Sequence, residues 1–288
     1  MASTRGEIDS AEAAEKLETL FTLSSMSTTS IEEIISEVPN GLKWFQLYVF
    51  KDRAVTKRLV ERAEKNGFSA LVLTVDLPVL GLRYADVRNK FSLPPNLSLK
   101  NFEIEAFGEN YKVSGNKESG MAEFANNIYD STLSWKDYDW LKSISNLPII
   151  LKGIISTEMA LEAVEHGVDG IIVSNHGGRQ LDGVSASINV LPNIVKIVNN
   201  KCEVYFDCGI RNGGDVAKAI ALGAKAVFIG RSVIWGLACG GVHGVKKVLE
   251  ILRDEFELTM KLLGVTSIHE LQTVPNLVIH ESKIFSNL

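Results

Sequence analysis

The sequence predicts an α/β fold, most closely an eight-fold (β/α) barrel in which seven strands are recognisable. Apolar, strand-like runs alternate with amphipathic helical stretches along most of the chain. A helix-ending glycine followed by an apolar strand recurs at Gly67, Gly167 and Gly223, which is the pattern of parallel β-helix-β units. The length of 288 residues, 45% of them hydrophobic, suits a single domain of this kind, here 1–288.

The strands of this repeat are apolar on both faces, as in a buried parallel sheet. The strands are predicted at 20–24, 44–49, 70–75, 148–151, 170–174, 203–207 and 226–229. Helices are predicted from about 30, at 52–65, 135–145, 157–165, 191–199 and 215–222, and at the end of the chain at 233–237 and 244–263. The first of them carries a capping box at Ser30 and Glu33. A doubly wound open sheet is the alternative, but no Gly-x-Gly-x-x-Gly motif follows the first strand.

The alternation is interrupted from about 80 to 134, a stretch that contains Pro94, Pro95 and several Asn, Ser and Gly residues. We predict a long loop or lid with little regular structure. Such an excursion within a compact domain is usually functional.

Composition excludes several classes of protein. The net charge of −5 provides no basic excess for binding nucleic acid. The chain has no apolar run of bilayer-spanning length and no secretory signal, so we expect a soluble, intracellular protein without a membrane partner. The cysteines Cys202, Cys208 and Cys239 lack C-x-x-C spacing, so neither a disulfide framework nor a metal site is predicted.

Polar or charged side chains follow nearly every predicted strand, at the face where barrels place their chemistry. They include Ser24, Gln46, Tyr48, Thr74, Asp76, Arg83, Lys152, Ser174, His176, Arg179, Asp207, Arg211 and Arg231. So many polar groups at buried strand ends indicate one common polar ligand. The alternative is ordinary packing for Tyr48 and strand-end capping for Gln46 and Thr74.

The last two strand ends have the features of a phosphate site. One is the run Asp207-Cys208-Gly209-Ile210-Arg211, and the other is Gly230-Arg231. Glycines allow close approach of the backbone to an anion, helix starts favour negative charge, and arginines bind phosphate through two donors. Turn glycines with solvated arginines are the alternative.

His176 lies in a glycine-rich loop, which suits a general base better than a core residue. Asp76 would orient its imidazole, and Arg83 and Arg179 would bind a carboxylate. Lys152 would stabilise negative charge on a bound ring. The alternatives are a surface histidine and a buried Lys152–Asp76 pair.

Ser174-Asn175-His176-Gly177-Gly178-Arg179-Gln180-Leu181-Asp182 resembles the active-site signature of the FMN-dependent 2-hydroxy-acid oxidases and dehydrogenases, the glycolate oxidase family. The similarity runs from about Gly6 to Leu271. It includes Trp44 to Tyr48, Leu73 to Asp76, Arg83, Leu151 to Gly153, Asp207 to Arg211 and Phe228 to Arg231.

The resemblance implies FMN as cofactor and oxidation of a small (S)-2-hydroxy acid to the 2-oxo acid, with oxygen as the electron acceptor and hydrogen peroxide as product. Flavin contacts are implied for Ser24, Gln46, Thr74, Lys152 and Ser174, and phosphate contacts for Asp207, Cys208, Gly209, Ile210, Arg211, Gly230 and Arg231. His176 would be the base, Asp76 its partner, Lys152 the charge at the ring, and Tyr48, Arg83 and Arg179 the substrate-binding residues.

The chain departs from the family pattern in three places. Met26 replaces an aromatic residue near the substrate, and Cys208 replaces a glycine in the phosphate loop. The family's N-terminal segment, with the first barrel strand and a substrate-binding tyrosine, is missing, so we expect a TIM barrel without its first strand. The alternatives to an active oxidase are an inactive truncated remnant and another phosphate-binding barrel enzyme.

The C-terminal Ser286-Asn287-Leu288 differs by one residue from the Ser-Lys-Leu peroxisomal signal. Together with the resemblance it predicts a peroxisomal protein, with the cytoplasm as the alternative. The resemblance also implies a homo-oligomer, a tetramer.

Overall fold

A computed structural model describes residues 1–103 and 120–280, with the backbone alone at 120–123. Parallel strands alternate with helices along the chain, which confirms the predicted α/β barrel class. The strands are β1 (Phe21–Ser24), β2 (Lys43–Leu47), β3 (Leu71–Thr74), β4 (Ile149–Ile154), β5 (Gly170–Val173) and β6 (Glu203–Phe206), and the sheet follows this order. β3 and β5 are buried along their whole length, which explains why they are apolar on both faces.

The chain divides into two compact units. Unit 1 comprises Met1–Leu151 and Val233–Lys246, and unit 2 comprises Lys152–Ser232 and the chain from Lys247. In unit 1, β1 pairs with β2 in the register Ser24↔Gln46, and β2 pairs with β3 in the register Leu47↔Leu73. In unit 2, β5 pairs with β6 in the register Val173↔Phe206. The assignment of 1–288 to a single domain stays a prediction.

The predicted seventh strand, 226–229, is a single bridge rather than a strand. The Phe206 N–H donates to Ala226 O at 3.1 Å, and the Phe228 N–H donates to Phe206 O at 2.8 Å, so the segment runs beside β6. Only Val227 is bridged to Phe206, because the chain leaves the sheet at Gly230 and begins a helix at Arg231. A ladder needs consecutive pairs, and here one pair alone is bridged.

Most helices begin and end near their predicted positions. They are α1 (Glu7–Lys16), α2 (Ile31–Glu37), α3 (Arg53–Lys65), α4 (Tyr84–Arg88), α5 (Gly120–Ile128), α6 (Trp135–Ile144), α7 (Thr157–Glu165), α8 (Ser187–Val198), α9 (Gly213–Ala221), α10 (Arg231–Leu263) and α11 (Ile268–Thr273). The capping box at Ser30 and Glu33 is present at the start of α2. The two predicted C-terminal helices both lie within α10, where non-helical backbone at Gly240 and Gly241 separates them.

The prediction of little regular structure at 80–134 is wrong for part of that stretch. It contains α4, a 3₁₀ turn at Lys100–Phe102, and α5, while 104–119 lies outside the described residues. Phe124, Ala125 and Ile128 bury one face of α5. Packing of that face outweighs the low helix propensity of the intervening Asn126 and Asn127. These two asparagines are the reason why the sequence pattern did not predict a helix here.

α1 and α11 were not predicted. α1 buries Ala11, Ala13 and Ala14. Because its sequence mixes charged residues with alanine, no apolar face can be recognised from the sequence alone. Among the described residues, no helix has both the length and the apolar character that crossing a membrane requires.

Candidate active site

The ends of β1, β2 and β3 are joined in unit 1 by one side-chain amide. Gln46 Oε1 accepts from Ser24 Oγ at 3.2 Å and from the Ser25 N–H at 3.3 Å, and Gln46 Nε2 donates to the buried Thr74 Oγ1 at 3.0 Å. We call Ser24, Ser25, Gln46 and Thr74 the Gln46 cluster. Neighbouring parallel strands end at the same edge, so the structure brings these three predicted flavin residues together.

The predicted substrate residues of unit 1 follow the same strands. Tyr48 comes directly after β2, Asp76 lies two residues beyond β3, and Arg83 is the N-cap residue of α4; all three are half-buried. The ring of Tyr48 lies 4.5 Å, centroid to centroid, from that of Tyr129, which sequence reasoning missed. Burial and the Tyr48 phenol raise the pKa of Tyr129, against the opposing charge of Arg83.

In unit 2, Lys152 joins residues from β4, β5 and β6. Its Nζ donates to Ser174 Oγ at 3.0 Å and lies 3.6 Å from Asp207 Oδ2. We call these three residues the Lys152 cluster. The side chains of Lys152 and Asp207 are only 18% and 15% exposed, so this is a largely desolvated positive charge held between two polar groups. The structure thus brings together Lys152 and Ser174, which were both predicted at the flavin, with Asp207, which was predicted at the phosphate.

The loop that carries His176 has an unusual backbone. His176, Gly177 and Gly178 have φ values of 57°, 68° and 71°, all in the left-handed region. Such a conformation costs energy at a histidine and is kept only where the surroundings impose it. The His176 N–H donates to Ser174 Oγ at 3.1 Å, and Arg231 Nη2 donates to Gly177 O at 2.9 Å. The first bond attaches the His176 loop to the Lys152 cluster, and the second attaches it to the start of α10. Arg179, which ends the loop, is exposed.

A cavity of about 390 Å³ lies in unit 2. Of the predicted phosphate residues, it is lined by Cys208, Gly209, Ile210 and Arg231, but not by Asp207, Arg211 or Gly230. Asn175, Asp215 and Lys218 also line it and were not predicted. Lys218 lies in the last turn of α9, away from any strand end, so the strand pattern did not indicate it. We call this space the Cys208 cavity.

The walls of the Cys208 cavity fit a phosphate group. A Cβ atom built at Gly178 or Gly209 would meet nothing within 4 Å, so both glycines leave open the space that a side chain would fill. Lys218 and Arg231 supply two cations. The Asp215 carboxylate is engaged by the Arg211 N–H at 3.1 Å and by Lys218 at 3.7 Å. Close backbone approach together with basic side chains is the usual environment of bound phosphate.

Cys208 holds the backbone conformation that a glycine would favour, with φ at 77°. Its Sγ accepts from the Gly177 N–H at 3.0 Å and donates to Asp207 Oδ1 at 2.6 Å. The thiol therefore ties the loop that follows β6 to the His176 loop. Burial and the Asp207 carboxylate raise the pKa of the Cys208 thiol, which keeps it protonated. Among the described residues, no group of three or more potential ligands could hold a metal ion.

A family model described as FMN-dependent dehydrogenase matches residues 1–277 of the chain. The chain is 51% identical to 2-hydroxyacid oxidase 1 of Mus musculus over 264 residues, which cover 92% of this chain and 71% of that protein. It is 52% identical to glycolate oxidase of Spinacia oleracea over 271 residues, which cover 94% of this chain and 72% of that protein.

Solved structures of mandelate oxidase are similar in fold and in sequence. One aligns with a TM-score of 0.83 and 40% identity, covering 93% of this chain and 73% of that chain. Another, with (S)-4-hydroxymandelic acid, aligns with a TM-score of 0.85 and 41% identity, covering 93% of this chain and 74% of that chain.

Removing the Gln46 amide is expected to destabilise the protein. Gln46→Ala would leave the buried Thr74 hydroxyl without its donor, at a cost of about 1–3 kcal/mol in the free energy of unfolding. Urea unfolding followed by circular dichroism measures the loss. Gln272→Ala is the matched control, because Gln272 makes a single 3.3 Å bond to Ala224 O; an equal loss in both variants would contradict a special role for Gln46.

Proposed function

The chain belongs to the FMN-dependent dehydrogenase family, and from that premise we propose that it oxidises a small (S)-2-hydroxy acid to the 2-oxo acid with FMN as cofactor. The observation that carries the proposal is the set of unit-2 contacts that joins the Lys152 cluster, the His176 loop and the Cys208 cavity. The predicted alternatives, an inactive remnant and a different phosphate-binding enzyme, are not favoured, because the relatives are 2-hydroxyacid and glycolate oxidases.

The residues present suit FMN. When bound, FMN supplies a two-electron acceptor. We propose that the backbone of Cys208, Gly209 and Ile210, with Lys218 and Arg231, holds the phosphate, and that Arg211, Asp207 and Gly230 support that loop. The amide and hydroxyl groups of the Gln46 cluster offer both donors and acceptors for the polar edge of the flavin ring. Ser174 adds a hydroxyl, and Lys152 a positive charge.

His176 is proposed as the base that takes a proton from the substrate. The hydrogen bond from its backbone N–H to Ser174 Oγ fixes the backbone from which the imidazole extends. Asp76 is proposed to stabilise the imidazolium that forms, as a carboxylate does for a charged histidine. Arg83 and Arg179 would bind the substrate carboxylate, since a guanidinium offers two parallel donors. Tyr48 would hydrogen-bond the substrate oxygen.

Oxygen is proposed as the final electron acceptor. The two electrons and two protons removed from each hydroxy acid convert one O₂ to one hydrogen peroxide. We also propose a homo-oligomer, a tetramer, from the resemblance. Peroxisomal targeting rests on Ser286-Asn287-Leu288, which lies outside the described residues, and on the same resemblance.

The activity itself is tested by the colour of the flavin. We expect the purified protein loaded with FMN to lose its visible absorbance when glycolate is added without oxygen. Readmitting air should restore the absorbance and release one hydrogen peroxide for each glyoxylate formed. Failure to retain FMN, or a flavin that stays oxidised with both glycolate and (S)-mandelate, would refute the proposed function.

Removing the proposed base should stop the chemistry and leave the cofactor in place. His176→Ala is expected to slow anaerobic flavin reduction by at least about 10²-fold, the usual contribution of a general base, while FMN stays bound. Stopped-flow absorbance measures the rate, and the flavin spectrum after gel filtration measures retention. His269→Ala, at an exposed position outside the site, is the control. A wild-type rate in His176→Ala would exclude the assignment.

Filling the Cys208 cavity should weaken cofactor binding. Gly209→Leu is expected to raise the Kd for FMN at least about tenfold, because the side chain enters the space left by Gly209 and left-handed backbone adds about 1–2 kcal/mol of strain. Quenching of FMN fluorescence on titration with apoprotein gives the Kd.

Gly183→Leu is the matched control for this experiment. Gly183 has φ at +79°, against +77° for Gly209, has nothing within 4 Å of an added Cβ, and does not line the cavity. The two variants therefore share the strain and differ in location. Equal FMN affinity in both would argue against phosphate in this cavity.

A further inference from the structure

We propose that Tyr129 is a positioning residue for the oxidation, holding the ring of Tyr48 so that the Tyr48 hydroxyl meets the substrate. The inference rests on the proposed function, in which Tyr48 binds the substrate oxygen. Tyr129 is not among the strand-end residues, and its place follows from contacts within unit 1.

Tyr48 follows the end of β2 directly, and its side chain is half-buried. Residues at i and i+2 of an extended segment project to the same side. Tyr48 and Phe50 share that side, and the Tyr129 ring contacts both, at centroid distances of 4.5 Å and 5.8 Å.

Tyr129 is itself held rigidly. It is only 5% exposed, and it forms an antiparallel bridge with Phe50. On either side of the bridge, the Lys51 N–H donates to Ile128 O at 2.9 Å and the Asp130 N–H donates to Val49 O at 3.1 Å. A buried ring whose backbone is flanked by hydrogen bonds on both sides is a fixed surface against which the Tyr48 ring can pack.

An ion cluster fixes the chain immediately after Tyr129. Arg53 Nη2 binds both the Asp130 carboxylate and Asp137 Oδ1, the latter at 2.6 Å. Hydrogen bonds from Thr132, followed by Arg53, lower the pKa of Asp130 to about 2, so this carboxylate stays charged. Arg53 also caps the Phe50 carbonyl, which links the ion cluster back to the segment that carries Tyr48.

The contact between Tyr129 and Tyr48 is a contact between their rings. The two rings are tilted by 36°, within the range of favourable aromatic pairs. Tyr129→Leu should therefore lower kcat/KM for glycolate by about two- to tenfold, the fold-change that corresponds to the usual energy of an aromatic pair. Tyr129→Phe, which keeps the ring, should retain wild-type kcat/KM.

A double-mutant cycle separates positioning from general packing. Tyr48→Phe removes the hydroxyl that Tyr129 is proposed to aim, so adding Tyr129→Leu to Tyr48→Phe should change kcat/KM by less than about twofold. Phe124→Leu is the matched control: Phe124 is a buried aromatic residue of α5 that packs on Phe102 at 6.3 Å. It should lower the unfolding temperature and leave kcat/KM unchanged.

Three results would overturn the proposal: wild-type kcat/KM in Tyr129→Leu, an equal defect in Tyr129→Phe, or the full Tyr129→Leu defect persisting in the Tyr48→Phe background. If Tyr129→Leu does not fold, Tyr129→Met, with a flexible side chain of similar reach, replaces it. A wild-type protein that oxidises neither glycolate nor (S)-mandelate refutes the proposed function instead. The ring contact is then tested by urea unfolding of the Tyr48→Ala and Tyr129→Leu cycle, where additive losses would refute it.

Discussion

Where parallel strands are buried on both faces, the polar groups at their carboxyl ends need hydrogen-bond partners within the protein. The site depends on the side chains that provide these partners. In unit 1, Gln46 bonds to Ser24 and Thr74 and thereby closes the ends of β1, β2 and β3. In unit 2, Lys152 bonds to Ser174 and lies beside Asp207, closing the ends of β4, β5 and β6. Each unit thus uses one long side chain to organise three strands, one a neutral amide and the other a cation.

The loops beyond these clusters are held in conformations that they would not adopt alone. Left-handed backbone at His176 and Cys208 costs free energy, since neither residue is glycine. Two hydrogen bonds compensate: that from the Gly177 N–H to Cys208 Sγ joins the two loops, and that from Arg231 to Gly177 O joins the His176 loop to the start of α10. The strain lies beside the proposed base and the proposed phosphate site, where a fixed geometry matters most.

Much of the fold could be predicted, because it follows from local patterns. Buried parallel strands are apolar throughout, and the capping box at Ser30 marks the start of α2. The helix α5 could not be predicted, since its stability comes from burial of Phe124 and Ile128 in the tertiary structure. The seventh strand was over-predicted, because an apolar run does not reveal whether it forms a ladder.

The same distinction applies to the site. Residues near or just beyond the ends of the predicted strands could be listed from the sequence, and the structure groups Gln46 with Thr74 and Lys152 with Asp207. Lys218 and Tyr129 could not, because their places depend on which helix end or loop folds back to a strand, and no local pattern encodes that contact.

The Leu80 N–H donates to Asn126 Oδ1 at 2.9 Å across a separation of 46 residues, and the Phe50–Tyr129 bridge closes beside it. Both ends of the excursion at 80–134 are therefore anchored, and the buried Asn101 anchors it a third time, because its side chain accepts from the Ile31 N–H and donates to Ser27 Oγ, both at 3.0 Å. Doubling the length of a flexible loop costs only about 0.6 kcal/mol in loop entropy, so insertions that leave these three anchors in place can accumulate during evolution while the strands stay as they are.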